Sequence, residues 1–152
     1  MATLFCFGFG YAATHYVAAF GERFDRVIGT ARTPDKAAAL AAQAVGRPGP
    51  DMLVFDGGEV SPELVARIEE SDAVLVSAPP DDTGDPVLAR LAGAIARSGR
   101  VRSIVYLSTV GVYGDHDGAW VDETSALRAV SPRGKARIAA EECRRAAGAA
   151  PG

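Results

Sequence analysis

Apolar residues fall into five short, nearly continuous runs along the chain, at residues 3–7, 26–30, 52–55, 73–77 and 103–107. Runs this short and this uniformly apolar predict parallel strands covered on both faces. Stretches of helical period lie between them. Four of these open on one type of dipeptide: Thr33-Pro34, Ser61-Pro62, Asp85-Pro86 and Ser131-Pro132. The side-chain oxygen accepts a first-turn N–H, and proline at the first helical position loses no bond the helix would have made. The predicted helices cover 12–23, 34–44, 62–70, 86–98 and 132–147, and in the fourth Leu88, Leu91, Ala92 and Ile95 form one apolar stripe. Five strands alternating with helices predict an α/β fold, a Rossmann-type doubly wound parallel sheet in the order 3-2-1-4-5. Its fifth strand is then a bare edge unless a partner or the tail of the chain covers it.

Composition narrows the class. With 152 residues, 48% apolar and 23% charged, the chain is sized for a single domain with a core of its own, over 1–147 and followed by a frayed tail at 148–152. A net charge of -3 offers nucleic acid no general attraction. The first 21 residues carry no Asp, Glu, Lys or Arg, but they lack the positive flank of a signal peptide and hold Gly8, Gly10 and His15. They read as strand, glycine turn and helix rather than a membrane segment. The two cysteines, Cys6 and Cys143, match no metal or redox spacing and read as small buried apolar residues. A reducing, cytoplasmic compartment is expected.

The chemistry starts where the first strand ends. Gly8-Phe9-Gly10-Tyr11-Ala12-Ala13 is a G-x-G-x-x-A element between a strand and a helix. Gly8 allows the sharp turn, Gly10 the approach of backbone N–H groups to a pyrophosphate, and Ala13 close packing of helix on strand, with Phe9 and Tyr11 completing the loop. The pyrophosphate belongs at the positive N-terminus of the helix. An NAD site calls for an acid at the end of the second strand, yet that strand ends Gly29-Thr30-Ala31-Arg32. Arg32 suits a 2′-phosphate, with Thr30 or Thr33 as hydroxyl partners, so NADP(H) is expected over NAD(H). Asp56 after the third strand is either an acceptor for the adenine amino group or a turn residue bonding its own backbone.

The glycine loop, Ser77-Ala78-Pro79-Pro80, Ser108-Thr109-Val110-Gly111-Val112-Tyr113-Gly114, Asp122-Glu123-Thr124 and Ser131-Pro132-Arg133-Gly134-Lys135 together resemble the extended short-chain dehydrogenase/reductase superfamily. The nearest likeness is to its NAD-dependent epimerase/dehydratase-like group. The resemblance implies hydride transfer between a nicotinamide dinucleotide and a small-molecule substrate, with Ala78 and Pro79 at the cofactor. It also implies a serine or threonine that orients substrate, matched by Thr109, and a Tyr-x-x-x-Lys pair. At that pair this chain has Arg133 and Arg137. Arginine gives up no proton near neutral pH, so Arg133 cannot take the tyrosine's part. The two arginines, one helical turn apart, either clamp a phosphate or carboxylate or form a solvated basic face. Tyr113 is a weaker substitute as proton donor.

Family members are about twice this length, so the substrate-binding region that follows the cofactor half is expected to be absent. Two other readings stand beside an oxidoreductase. One is a non-catalytic, redox-sensing dinucleotide binder; the other is an assembly module or a fragment of a longer enzyme. The small-residue face of Ala136, Ala139, Ala140, Cys143 and Ala147 suits close packing either on a copy of itself, in a homodimer, or on the helix over 86–98. Asp115-His116-Asp117 reads as a polar turn, not a metal site, and His15 as a surface or half-buried residue of the first helix rather than a ligand.

Overall fold

A computed structural model of the chain describes residues 1–43, 46–81 and 83–149, with only the backbone described for 147–149. Five parallel strands, β1 (Thr3–Phe7), β2 (Arg26–Ala31), β3 (Pro50–Val54), β4 (Ala73–Val76) and β5 (Ser103–Tyr106), lie in the order β3-β2-β1-β4-β5. The helices are α1 (Tyr11–Phe20), α2 (Pro34–Ala42), α3 (Pro62–Glu69), α4 (Pro86–Arg97) and α5 (Pro132–Ala149). This is the predicted Rossmann-type sheet.

The capping dipeptides work as their chemistry requires. Thr33 accepts from Lys36 N–H, Ser61 from Leu64 N–H, Asp85 from both Val87 and Leu88 N–H, and Ser131 from Gly134 N–H. Boundaries moved more than elements did. The first helix ends at Phe20, and Gly21–Arg23 tightens into a 3₁₀ turn. The helix predicted to reach residue 44 ends at Ala42 with Gln43 as its cap, and Ala44 lies outside the described residues. At the other end of the chain α5 continues to Ala149, two residues into the expected tail, whose residues 150–152 also lie outside the described residues.

β3 begins at Pro50, two residues before the predicted start. An edge strand tolerates proline because its missing N–H need not face a neighbour. In α4 the buried stripe is Val87, Leu91, Ala94 and Ile95; it keeps the expected Leu91 and Ile95, while Leu88 and Ala92 are half-buried at its flank.

Alternation along the strands divides the core. Phe5, Phe7, Val74 and Val76 face α3 and α4, packing on Leu64, Ile68, Leu91 and Ile95. Leu4, Cys6 and Leu75 face the other way, onto Ala13 and Val17 of α1 and Leu40 of α2. Coverage on both faces holds for the inner strands and fails at the edges: β3 is half-exposed, and on β5 Ile104 and Val105 are each 49% exposed. The four helices between the strands cover the centre of the sheet first. None of the described helices is long and apolar enough to cross a membrane.

Candidate functional site

The glycine loop is held by the end of β2. Gly8 N–H donates to Thr30 Oγ1 at 2.9 Å, and Phe9 N–H to the Thr30 carbonyl at 2.8 Å. Phe9 is buried, with its ring over Gly29; a Cβ at that glycine would lie 2.6 Å from the ring. Gly8 has a φ of +79°, and a Cβ on it would lie 2.8 Å from the backbone nitrogen of Ala78. Only glycine fits there. Gly10 differs. It is the N-cap of α1 in an extended conformation, no side chain caps the helix, and a Cβ at Gly10 would meet nothing within 4 Å. An uncapped helix N-terminus behind open space suits an anion.

That terminus opens on a cleft of about 700 Å³ along the carboxyl ends of β1, β2 and β4. Of the residues expected at a cofactor, Gly8, Phe9, Gly10, Arg32, Asp56, Ala78 and Pro79 line it. Ala13 is buried beneath the loop, the packing part read for it. The Tyr11 ring is 81% exposed and stacks on His15 at 4.1 Å, outside the cleft lining.

At the end of β2, Arg32, Thr33 and Lys36 stand together on the cleft wall. Lys36, in the first turn of α2, was missed from the sequence. The Thr30 hydroxyl, a candidate phosphate contact, is instead buried and committed to Gly8. Asp56 Oδ1 accepts from Gly58 N–H at 2.8 Å, the turn geometry considered for it, while its carboxylate still faces the cleft. Asp81, whose carboxylate lies beside Gly57, is held below the usual carboxylate range by the Thr83 hydroxyl and N–H.

A second hollow of about 540 Å³ lies beyond the end of β5, lined by Ser108, Thr109, Tyr113, Glu123, Glu141 and Arg145 among others. Thr109 Oγ1 accepts from Gly111 N–H at 3.2 Å, capping a 3₁₀ turn over Val110–Val112. Ser108 donates to Glu141, whose other oxygen accepts from Arg145 at 3.1 Å.

The two arginines that stand where a Tyr-x-x-x-Lys pair was expected are not brought together. Arg133 is exposed, whereas Arg137 turns back to donate to the Leu107 carbonyl at 2.5 Å and to the Tyr106 hydroxyl at 3.2 Å. Tyr106 lies between Arg137 and Arg144, with the Arg144 guanidinium 4.6 Å from the ring centroid, and burial pushes its phenol up. Arg144 also pairs with Asp85, the cap of α4, at 2.6 Å. Glu141, Tyr106 and Arg144 were not singled out from the sequence. For Glu141 the signal was the four-residue spacing Arg137, Glu141, Arg145 on one helix, whereas nothing of the kind marked Tyr106 or Arg144.

Asp115 Oδ1 accepts from Asp117 N–H at 2.8 Å, as a polar turn should, and His15 is exposed. Cys6 is buried, its thiol pushed up to about 12 by desolvation, but Cys143 is exposed. On the small-residue face, Ala140 is buried within the chain while Ala139 is exposed, and the Ala147 side chain lies outside the described residues.

No family model and no curated protein matches the chain. Solved structures do. A functionally unknown conserved protein from Silicibacter pomeroyi is 41% identical, with a TM-score of 0.78 over 97% of this chain and 50% of that one. The UDP-glucuronic acid 4-epimerase of Bacillus cereus, in complex with NAD and a fluorinated UDP-sugar, is 17% identical, with a TM-score of 0.70 over 95% and 52%. A yeast methylglyoxal/isovaleraldehyde reductase in complex with NADPH is 22% identical, with a TM-score of 0.69 over 95% and 49%. The structural neighbours thus include an epimerase, a dehydratase and a reductase in complex with NAD or NADPH, and the chain spans about half the length of each.

Proposed function

We propose that this chain is the dinucleotide-binding half of an oxidoreductase or epimerase-like protein of the short-chain dehydrogenase/reductase type, and that it takes NADP(H) in preference to NAD(H). The observation that carries the reading is the pairing of an open, uncapped Gly10 helix terminus with Arg32 and Lys36 at the end of β2. The first accepts a pyrophosphate through N–H groups and the helix dipole. The second supplies two cations, and no acid, where an adenosine ribose carries its 2′-hydroxyl or 2′-phosphate. When bound, the dinucleotide would supply or accept hydride. Thr109 would orient a small-molecule substrate beside it, in the hollow beyond β5.

A non-catalytic binder is the second reading, and the commitment of Arg137 to the Leu107 carbonyl favours it. That guanidinium is spent on the fold, and no proton-exchanging group stands at position 133.

Calorimetric titration with NADPH and NADH tests the reading. NADPH is expected to bind more tightly, and Arg32→Ala and Lys36→Ala are each expected to weaken NADPH about tenfold, the loss of one charge-assisted bond, while leaving NADH unchanged. Equal affinity of the wild-type chain for the two nucleotides would remove the preference, and no binding of either would remove the reading.

A further inference from the structure

We propose that Thr30 is a positioning residue for dinucleotide binding, acting from inside the fold by holding the glycine loop in the one arrangement that presents the α1 terminus; this rests on the functional reading above. Thr30 reaches the cleft wall but is only 2% exposed, and its hydroxyl is turned onto the loop rather than offered to a ligand. Its two oxygens instead receive two consecutive loop N–H groups, that of Gly8 on the hydroxyl and that of Phe9 on the carbonyl. The loop is closed in on two other sides, by the Ala78 backbone against Gly8 and by Gly29 under the Phe9 ring. With the N–H groups of residues 8 and 9 turned into the protein and that of Gly10 closing on the Gly8 carbonyl at 2.8 Å, Gly10 is left lining the cleft at the head of α1.

The carbonyl contact belongs to the backbone and survives any substitution. The hydroxyl contact is the one the side chain adds. Without it the Gly8 N–H has no buried acceptor, and a buried unpaired donor is unfavourable enough to compete with the loop conformation itself. The alternative is to rotate the Gly8 peptide toward water, which carries Gly10 away from its place at the head of α1. Only the closed loop binds, so the apparent dissociation constant rises as the closed population falls. Valine has nearly the shape of threonine and no acceptor; serine keeps the acceptor and loses the methyl.

The test measures NADPH affinity by calorimetry for the wild type, Thr30→Val and Thr30→Ser, together with the amide exchange rate of Gly8 by NMR in the nucleotide-free chain. Thr30→Val is expected to bind about tenfold more weakly and to expose the Gly8 amide to exchange, while Val74 in β4 stays protected. Thr30→Ser should restore both. Wild-type affinity in Thr30→Val overturns the inference, as does a serine variant as weak as valine, because packing and not the acceptor would then be at work. If the valine variant fails to fold, the wild-type Gly8 amide and the serine variant decide: a fast-exchanging Gly8 or a weakened serine variant overturns it. A wild-type chain that binds neither NADPH nor NADH takes the functional reading down and this inference with it, an outcome distinct from one in which only the valine variant binds normally.

Discussion

Packing within the protein does not account for Gly10 being glycine. Its backbone is extended, open to any residue, and a side chain there would touch nothing. Two positions earlier, Gly8 is fixed twice over, by its positive φ and by the Ala78 backbone. The two glycines of one motif should therefore part under the same substitution. Gly10→Ala is expected to cost no more than about 1 kcal/mol, the difference between glycine and alanine at an N-cap, and to lower NADPH affinity at least about tenfold by filling the anion's space. Gly8→Ala is expected to destabilise by about 2–4 kcal/mol through strain and overlap. Urea unfolding and calorimetry on both variants check this, and wild-type affinity in Gly10→Ala would mean the loop is not the pyrophosphate seat. Both glycines and Arg32 were legible because spacing after a strand dictates their place. The inward turn of Thr30 was not, since a buried and an exposed threonine at a strand end leave the same sequence.

At the scale of elements, the capping dipeptides made the helix starts legible, and α5 is where apolar periodicity failed. Its inward row is largely polar, Arg137, Glu141 and Arg144 around the buried Ala140, and it grips the end of β5 and the cap of α4 through charges. A search for an apolar stripe turns Cys143 inward; the polar row turns it out. The grip is concentrated in one pair. Arg144 and Asp85 have side chains only 11% and 6% exposed, whereas Arg145, bonded to Glu141 on the same helix, is 68% exposed. Removing one partner of a buried pair strands the other charge. Arg144→Ala should therefore lower the unfolding free energy by about 3 kcal/mol, and Arg145→Ala by less than about 0.5 kcal/mol. Similar denaturant midpoints for the two variants would show that α5 is held elsewhere.

Across the whole molecule the two ends of the sheet do different work. The carboxyl ends of the strands carry the cleft, and the amino ends are tied together around Asp72. Its carboxylate accepts from Thr3 N–H at 2.8 Å and from Arg100 at 3.0 Å, while its backbone bonds Thr3 and Arg102, so β1, β4 and the entry to β5 meet at one residue. The Thr3 N–H, and Arg100 after it, hold this carboxyl below its ordinary value. A carboxyl depressed in the folded state stabilises above its unfolded value, about 3.9, and that contribution is lost as pH falls through the lower folded value. Asp72→Asn keeps an acceptor for Thr3 and removes the charge. It should cost about 1 kcal/mol at pH 7, a small figure because the pair is partly exposed and solvent screens it. The difference from wild type should persist down to about pH 4 and then close with further acidification. A gap that stays constant to pH 3 would assign the effect to the shape of the Thr3 bond and not to charge. Since Asp72 lies at the edge away from Gly10 and Arg32, its loss should leave NADPH affinity unchanged, separating what holds the sheet together from what the sheet holds.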